Sequence, residues 1–389
     1  MQLQLPSPCS DALRASHALQ TLIGDEIRLN AGWISFSRYM ELALYSPALG
    51  YYSGGAAKLG KEGDFTTAPE ITPLFGATLA RAVAELLPNT APQLLEFGAG
   101  TGQLAFDVLT ELAAMAISLD RYAIVELSGE LRARQQQKLQ HFPQVVWLDR
   151  FPTHFAGVII ANEVLDAMPA HLVTKTERGW CERGIGLEDL SADNFVFRDR
   201  ACAPSLVAQI PDADLLPIGY LSEVHPIASA FMQSLATMMC AGFNASGLGS
   251  AAFLIDYGFP AHEYYLDMRD QGTLMCHYRH HAHDDVFYLP GLQDITCHVD
   301  FTAIAGAAVE GGLEVLGYLS QAAFLLEAGI GEVLLRIAPA DTQRYLPAAN
   351  AVQKVTSPAE MGELFKVLIV GNKLDLPDRY ARHDRSRRL

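Results

Sequence analysis

The sequence predicts an α/β fold built on a doubly wound, mostly parallel sheet. Three observations point there. From Gln93 onward, short apolar runs alternate with helix-like segments in the order β-α-β-α-β. These runs are apolar at nearly every position, as in AGVIIAN at 156–162, the pattern of strands covered on both faces. The first run passes through a glycine-rich turn, Gly98-Ala99-Gly100-Thr101-Gly102, straight into a helix.

In chain order, residues 10–45 read as two helices. Leu13, Leu19, Leu22, Ile23 and Ile27 mark the first, and Ser35 stands as N-cap of the second. The stretch from Tyr45 to Pro73 is rich in Gly, Pro and Tyr and reads as a long, ordered loop. A helix follows at 73–87. QLLEFG, RYAIVEL, QVVWL and AGVIIAN are strands, separated by helices at 103–115 and 129–141. HLVTKTE, GWCERGIG and NFVFRD, bounded by Gly and Asp, read as an antiparallel insertion. A helix at 226–241 and the strand SAAFLIDYG restore the parallel pattern. Residues 258–299 read as irregular. A helix at 301–311, the strand EVLGYLS, a helix at 320–328 and the strand LFKVLIVGN close the fold, and the basic ARHDRSRRL reads as a frayed tail. The expected organisation is an N-terminal helical region over 1–88 and a core over 89–389, with insertions at about 171–220 and 258–300.

Composition narrows the function classes. The chain has 389 residues, 50% of them hydrophobic and 19% charged, which excludes a fibre or a disordered chain. A net charge of −16 argues against nucleic acid and anionic membranes and is compatible with a basic protein partner. Cys9, Cys181, Cys202, Cys240, Cys276 and Cys297 are scattered without a C-x-x-C pair, as expected of reduced thiols, and no targeting segment is visible. The expectation is a cytoplasmic protein. Val224–Ile255 carries no Asp, Glu, Lys or Arg, but CAGFNASGLGS breaks it into a buried helix at 227–240 and a strand at 250–257, so no membrane insertion is expected.

Three motifs carry chemistry. Glycines at 98, 100 and 102 let the backbone turn sharply and approach a ligand; the plainer alternative is an ordinary tight strand–helix turn. Gln103 stands where a dinucleotide fingerprint wants a small residue. Glu96 precedes the turn, and its carboxylate would repel a pyrophosphate but suit a cationic amine, such as the methionine part of S-adenosylmethionine. Glu126, 24 residues after Gly102, ends the next strand, where an acid accepts both ribose hydroxyls of a nucleoside ligand; an exposed helix-start acid is the alternative. Leu127 would pack on the base, and Asp149 is a second candidate for it. Asn162-Glu163-Val164-Leu165-Asp166 ends the fourth strand. A helical turn there would set Glu163 and Asp166 on one face, able to hold a guanidinium; an Asn N-cap with first-turn acids is the alternative. The loop Gly63–Glu70, with Asp64, Thr66, Thr67 and Glu70, is a candidate lid, and Asp256 and Tyr257 end another strand. His277, His280, His281 and His283 cluster without ligand-pair spacing, so no metal is expected.

Together these blocks resemble the MidA family of S-adenosylmethionine-dependent methyltransferases. The resemblance runs in order through FSRYMELALYSPALGYY (36–52), GDFTTAPEITPLFG (63–76), LLEFGAGTGQLAFDVL, VELSGELRARQQQKL, ANEVLDAMPAHLV, EVHP (223–226), LIDYG (254–258) and LPGLQDITCHVDF (289–301). The family usually has Pro at the position of Ala99 and Phe at that of Val164; neither change removes a polar group.

The resemblance implies a class I methyltransferase (Rossmann-like) core, its last strands closing antiparallel, with an N-terminal helical region and inserted α+β elements. It implies S-adenosyl-L-methionine as cofactor, lined by Gly98, Ala99, Gly100 and Gly102, with Glu126 on the ribose; Glu96, Leu127 and Asn162 join them as cofactor-side candidates from their own positions. A protein substrate is implied, with an arginine acceptor held by Asn162, Glu163 and Asp166. The apolar insertions would cover the site, dock that substrate or form a homodimer. Two rivals stand beside this reading: a non-catalytic assembly factor that keeps cofactor binding, and an NAD(P)-linked oxidoreductase on the same sheet.

Overall fold

A computed structural model describes residues 5–54, 66–189 and 193–389. The chain forms two compact units. One comprises Thr66–Leu165, Ala230–Pro260 and Phe301–Leu389; the other comprises Met1–Phe65, Asp166–Ser229 and Ala261–Asp300.

The first of these, the sheet unit, holds seven strands: β1 (Gln93–Phe97), β2 (Arg121–Val125), β3 (Val145–Leu148), β4 (Val158–Asn162), β5 (Ser250–Phe259), β6 (Glu314–Ser320) and β7 (Phe365–Asn372). They lie in the order β3-β2-β1-β4-β5-β7-β6. β7 alone runs antiparallel, to both β5 and β6. This is the doubly wound sheet with an antiparallel closing strand that the sequence predicts. The helices that follow β1 and β2 are α2 (Gln103–Ala114) and α3 (Gly129–Lys138), and α1 (Pro73–Leu86) precedes them. Leu94, Tyr122, Ile124, Val158, Ile160, Phe253 and Val367 point to one face and share a core with α1 and α2. Leu95, Phe97, Ala123, Ile159, Leu254 and Leu368 point the other way and are equally buried. Phe97 meets Phe231 of α4 (Pro226–Ser246) at 5.1 Å between ring centres, and Tyr318 meets Phe301 of α5 (Phe301–Glu310) at 5.4 Å. Alternate side chains on both faces are therefore buried, which is why the strands read as unbroken apolar runs.

The second unit contains the helices Ser10–Leu29 and Phe36–Tyr45 and an antiparallel sheet. Ser35 caps the second helix as expected, its Oγ accepting from Arg38 N at 3.1 Å. Strand Gly179–Leu187 pairs with His171–Thr176, Phe195–Ala201 and Ile34–Ser35, and His171–Thr176 pairs with Leu221–Val224. Glu223, fully buried in that last strand, accepts hydrogen bonds from Tyr264 Oη (2.9 Å), Thr273 N (2.8 Å), Thr273 Oγ1 (3.0 Å) and Leu274 N (2.9 Å).

Several expectations are corrected. Residues 258–299 are not irregular throughout: Met275–Tyr278 pairs antiparallel with His281–His283 and with Asp294–Thr296. Helix α4 runs on to Ser246 rather than stopping before Gly242; that glycine does not end the helix but lets it pack where a side chain would strike the backbone of Phe155. The C-terminal tail is docked: Arg385 N donates to Tyr318 O at 2.7 Å, Tyr318 N donates to Asp384 Oδ1 at 2.8 Å, and Arg385 pairs with Glu363. The helix Thr342–Thr356 escapes a pattern reading, since Pro347 interrupts it and only Val355 is fully buried. Among the described residues no helix is long and apolar enough to cross a membrane.

Candidate active site

Register brings the predicted polar residues into one row. Phe97 is level with Val125 and Ala161, and Asn162 with Ile255. Gly98, Glu126 and Asn162–Glu163 therefore stand side by side at the carboxyl ends of β1, β2 and β4, level with Asp256; Asp256 and Tyr257 do not end β5 as expected, because the strand stays paired with β7 there and runs on to Phe259. Between β1 and β4 the strand order reverses, the place where open α/β sheets bind ligands.

The glycine turn is built for close approach. Gly98 (φ +62°) and Gly102 (φ +78°) both take left-handed backbone conformations. A Cβ on Gly98 would lie 3.0 Å from Val164 Cγ2, and one on Gly102 would lie 3.3 Å from Gln135 Cγ. Thr101 Oγ1 donates to Glu70, so the part of the candidate lid that is described reaches the turn; Asp64 lies outside the described residues. Gln103 spans Asp107 Oδ1 (2.9 Å) and Lys138 Nζ (2.6 Å).

Two buried carboxyls flank the turn. Glu96 accepts from Tyr122 Oη at 2.7 Å; burial pushes its pKa up to about 7, the tyrosine bond opposes that, and nearby Glu126 adds to it. Glu126 accepts from Ser128 N (2.9 Å) and Gln135 Nε2 (2.8 Å), and burial likewise raises it, against those hydrogen bonds. It is not an exposed helix-start acid. Leu127 beside it is 78% exposed, so its apolar side chain stands at the rim rather than filling the core. Asp149 is exposed and paired with Arg132, the arrangement of a surface residue.

The end of β4 differs from its expected form. No helical turn follows Asn162: Glu163 has φ +53°, so Glu163 and Asp166 are not brought onto one helical face. A left-handed backbone at a residue with a side chain costs ~1–3 kcal/mol and persists only where its surroundings impose it. Here Glu163 N donates to Ile255 O at 2.9 Å, and the buried Asp256 carboxylate accepts from Val164 N (3.2 Å) and Leu165 N (2.9 Å). Asp256 thus shapes the turn from below. Asn162 Nδ2 donates to Glu163 Oε1 at 3.1 Å, which leaves Asn162 Oδ1 buried without a partner. Asp166 begins the next segment of the other unit, buried, its carbonyl accepting from Cys297 N at 3.0 Å.

Gln135 went unsuspected in the sequence. It is the first of three consecutive glutamines in a polar helix, and nothing in the pattern marks it as the one residue of α3 that is fully buried. Among the described residues no group of three or more His, Cys, Asp or Glu is arranged to hold a metal ion.

The donor set suits a particular ligand. Two buried acids beside a glycine turn oppose a pyrophosphate and favour a nucleoside diol joined to a cationic group. Comparison with known proteins agrees. Residues 77–319 match a family model described as "Putative S-adenosyl-L-methionine-dependent methyltransferase". Protein arginine methyltransferase NDUFAF7 of Mus musculus is 30% identical over 373 residues, 86% of this chain and 80% of that protein. The Bos taurus protein of the same name is also 30% identical, over 378 residues, with 87% and 80% covered. The crystal structure of a COG1565 superfamily member from Burkholderia thailandensis bound to S-adenosyl-homocysteine is 53% identical, superimposes with a TM-score of 0.92, and covers 99% of this chain and all of that one. The chain therefore belongs to this family of S-adenosyl-L-methionine-dependent methyltransferases, and S-adenosyl-L-methionine is its cofactor.

Proposed function

We propose that the chain methylates an arginine side chain of a protein substrate. The observation that carries the cofactor half of this reading is Glu126, a buried carboxylate oriented by the amides of Leu127 and Ser128 and by Gln135 Nε2, with acceptor capacity left, beside a left-handed glycine turn. The acceptor half is supported by the arginine methyltransferase names of relatives matched over most of their length.

In this reading Gly98, Ala99, Gly100 and Gly102 let the cofactor lie against bare backbone, Glu126 accepts from its ribose, and Leu127 covers its base. Glu96 contributes negative potential near the cationic end. When bound, the cofactor supplies a methyl group already activated on a positively charged sulfur. The protein's own share is alignment and exclusion of water, and alignment of two reactants is worth up to ~7–11 kcal/mol of barrier. Asn162 Oδ1, buried and without a partner, is placed to accept from an N–H at the sheet edge. Glu163, held in its strained turn, is assigned to the guanidinium, and Asp166, which the turn does not bring onto the same face, is a second candidate. They orient a nitrogen without first removing its proton, since the guanidinium pKa exceeds ~12.

Mass spectrometry of source cells with the gene intact or disrupted tests this. The expected result is a methyl-arginine that vanishes on disruption, returns with the wild-type chain, and does not return with the Glu163→Gln/Asp166→Asn variant. A gene-dependent methyl group found only on another residue type would overturn the arginine assignment.

A further inference from the structure

Gln135 lies on α3, 0% exposed, and its carboxamide touches three parts of the site edge at once. Nε2 donates to Glu126 Oε2 at 2.8 Å and to Gly100 O at 2.9 Å. Oε1 accepts from Trp147 Nε1 at 2.9 Å. Its aliphatic stem occupies the space that a side chain on Gly102 would need, 3.3 Å from that ideal Cβ. Both amide hydrogens are thus used, and the indole bond fixes which end of the amide faces which partner. A buried, fully partnered group that binds two ligand-facing elements holds them in one relative geometry.

We infer that Gln135 is a positioning residue for the cofactor: it aims the Glu126 carboxylate and locks it to the glycine turn, so that ribose and backbone contacts form together. This rests on the reading of Glu126 as the ribose anchor. Removing the amide while keeping the bulk, as in Gln135→Met, frees Glu126 to turn and uncouples the loop. Gln135→Glu keeps the shape and sets a second carboxyl against Glu126. One proton shared between the two acids restores the bond at low pH; its loss as pH rises leaves two carboxylates in contact. Glu96 also acts on this carboxyl pair and titrates near 7, so the wild type at each pH is the baseline.

The test is calorimetric titration of the full chain with S-adenosyl-homocysteine from pH 6 to 8. Gln135→Met is expected to weaken binding at least tenfold in the wild-type background and less than twofold on top of Glu126→Ala. Gln135→Glu is expected to bind within about threefold of wild type at pH 6 and at least tenfold more weakly at pH 8. Trp147→Phe, which removes the indole N–H donor together with part of the ring's bulk, is expected to cost a few-fold. Equal losses from Gln135→Met with and without Glu126 would show a merely structural role, and a pH-independent Gln135→Glu would overturn the inference. If Glu126→Ala itself binds normally, the reading of Glu126 fails and the inference with it. If Glu126→Ala weakens binding while Gln135→Met does not, only the inference fails.

Discussion

Two buried glutamates, one in each unit, show how differently a protein can use the same side chain. Glu223 accepts four hydrogen bonds, two from backbone amides and two from Tyr264 and Thr273. A carboxylate offers about four acceptor positions, so this one is saturated by its own chain. Glu126 accepts from the amides of Leu127 and Ser128 and from Gln135 Nε2, three donors against four, is buried on the sheet edge, and keeps one acceptor position to spare. Burial is nearly equal, so burial does not separate structure from function here. What separates them is whether the fold has already answered the charge. Glu223 staples residues 273–274 to its strand; Glu126 keeps acceptor capacity beside the glycine turn.

The largest way to break that contrast is Glu223→Ala. It strands Tyr264, Thr273 and Leu274 donors in the core, and loss of ~3–5 kcal/mol of stability is expected by urea or thermal unfolding, as for one partner of a buried charged network. Cofactor affinity of the molecules that remain folded should stay within twofold. Glu126→Ala should do the reverse. Affinity for S-adenosyl-homocysteine is expected to fall tenfold or more, at least ~1.4 kcal/mol, while the unliganded melting curve moves little. If Glu126→Ala unfolds the chain as Glu223→Ala does, the distinction between the two acids is wrong.

The pH dependence of stability sharpens the same comparison. Glu96 beside the glycine turn has a carboxyl raised from 4.5 to about 7 by burial, so the folded state binds its proton more tightly than the unfolded state. Stability from this group is full below about pH 4.5 and falls as pH rises to about 7, by up to roughly 3 kcal/mol. Glu96→Gln removes that slope, so its stability relative to wild type should be higher at pH 8 than at pH 5. His225, in the other unit, bonds Tyr264 Oη at 3.1 Å and is lowered from 6.5 to about 4, chiefly by burial. Its contribution has the opposite sense: present above pH 6.5 and lost as pH falls to about 4. His225→Gln should flatten that acid limb. Melting curves at pH 4.5, 6, 7 and 8 read both slopes. The smallest expected effect is Ser35→Ala, which deletes a helix cap. It should cost about 1 kcal/mol and leave cofactor binding untouched.

Much of the sheet unit was legible residue by residue. Strands covered on both faces announce themselves as unbroken apolar runs, and a glycine turn is visible because only glycine accepts φ +62° or +78° without strain. Pattern failed where neighbours, not local preference, decide. The strand Met275–Tyr278 needs Asp294–Thr296 as its second partner, the docked tail at Arg385 meets Tyr318 from far along the chain, and the helix Thr342–Thr356 carries a proline and buries only Val355 fully, so its pattern is faint.

The sequence by itself determined the order of the elements, the glycine turn and the presence of acids at 96, 126 and 163, because these follow from period, spacing and side-chain chemistry. Only the tertiary structure decided which acids stand ready for a ligand. Asp256, inside β5 but level with the end of β4, is taken up by the amides of Val164 and Leu165. Glu163 stands in a left-handed turn rather than on a helix because the Asp256 carboxylate and Ile255 O shape the backbone there. Gln135, one glutamine among three in a row, becomes the hinge of the site because its helix turns that residue alone fully inward. Hydrogen bonds and burial are properties of neighbours, and neighbours across a sheet edge are set by the fold rather than by the adjoining letters of the chain.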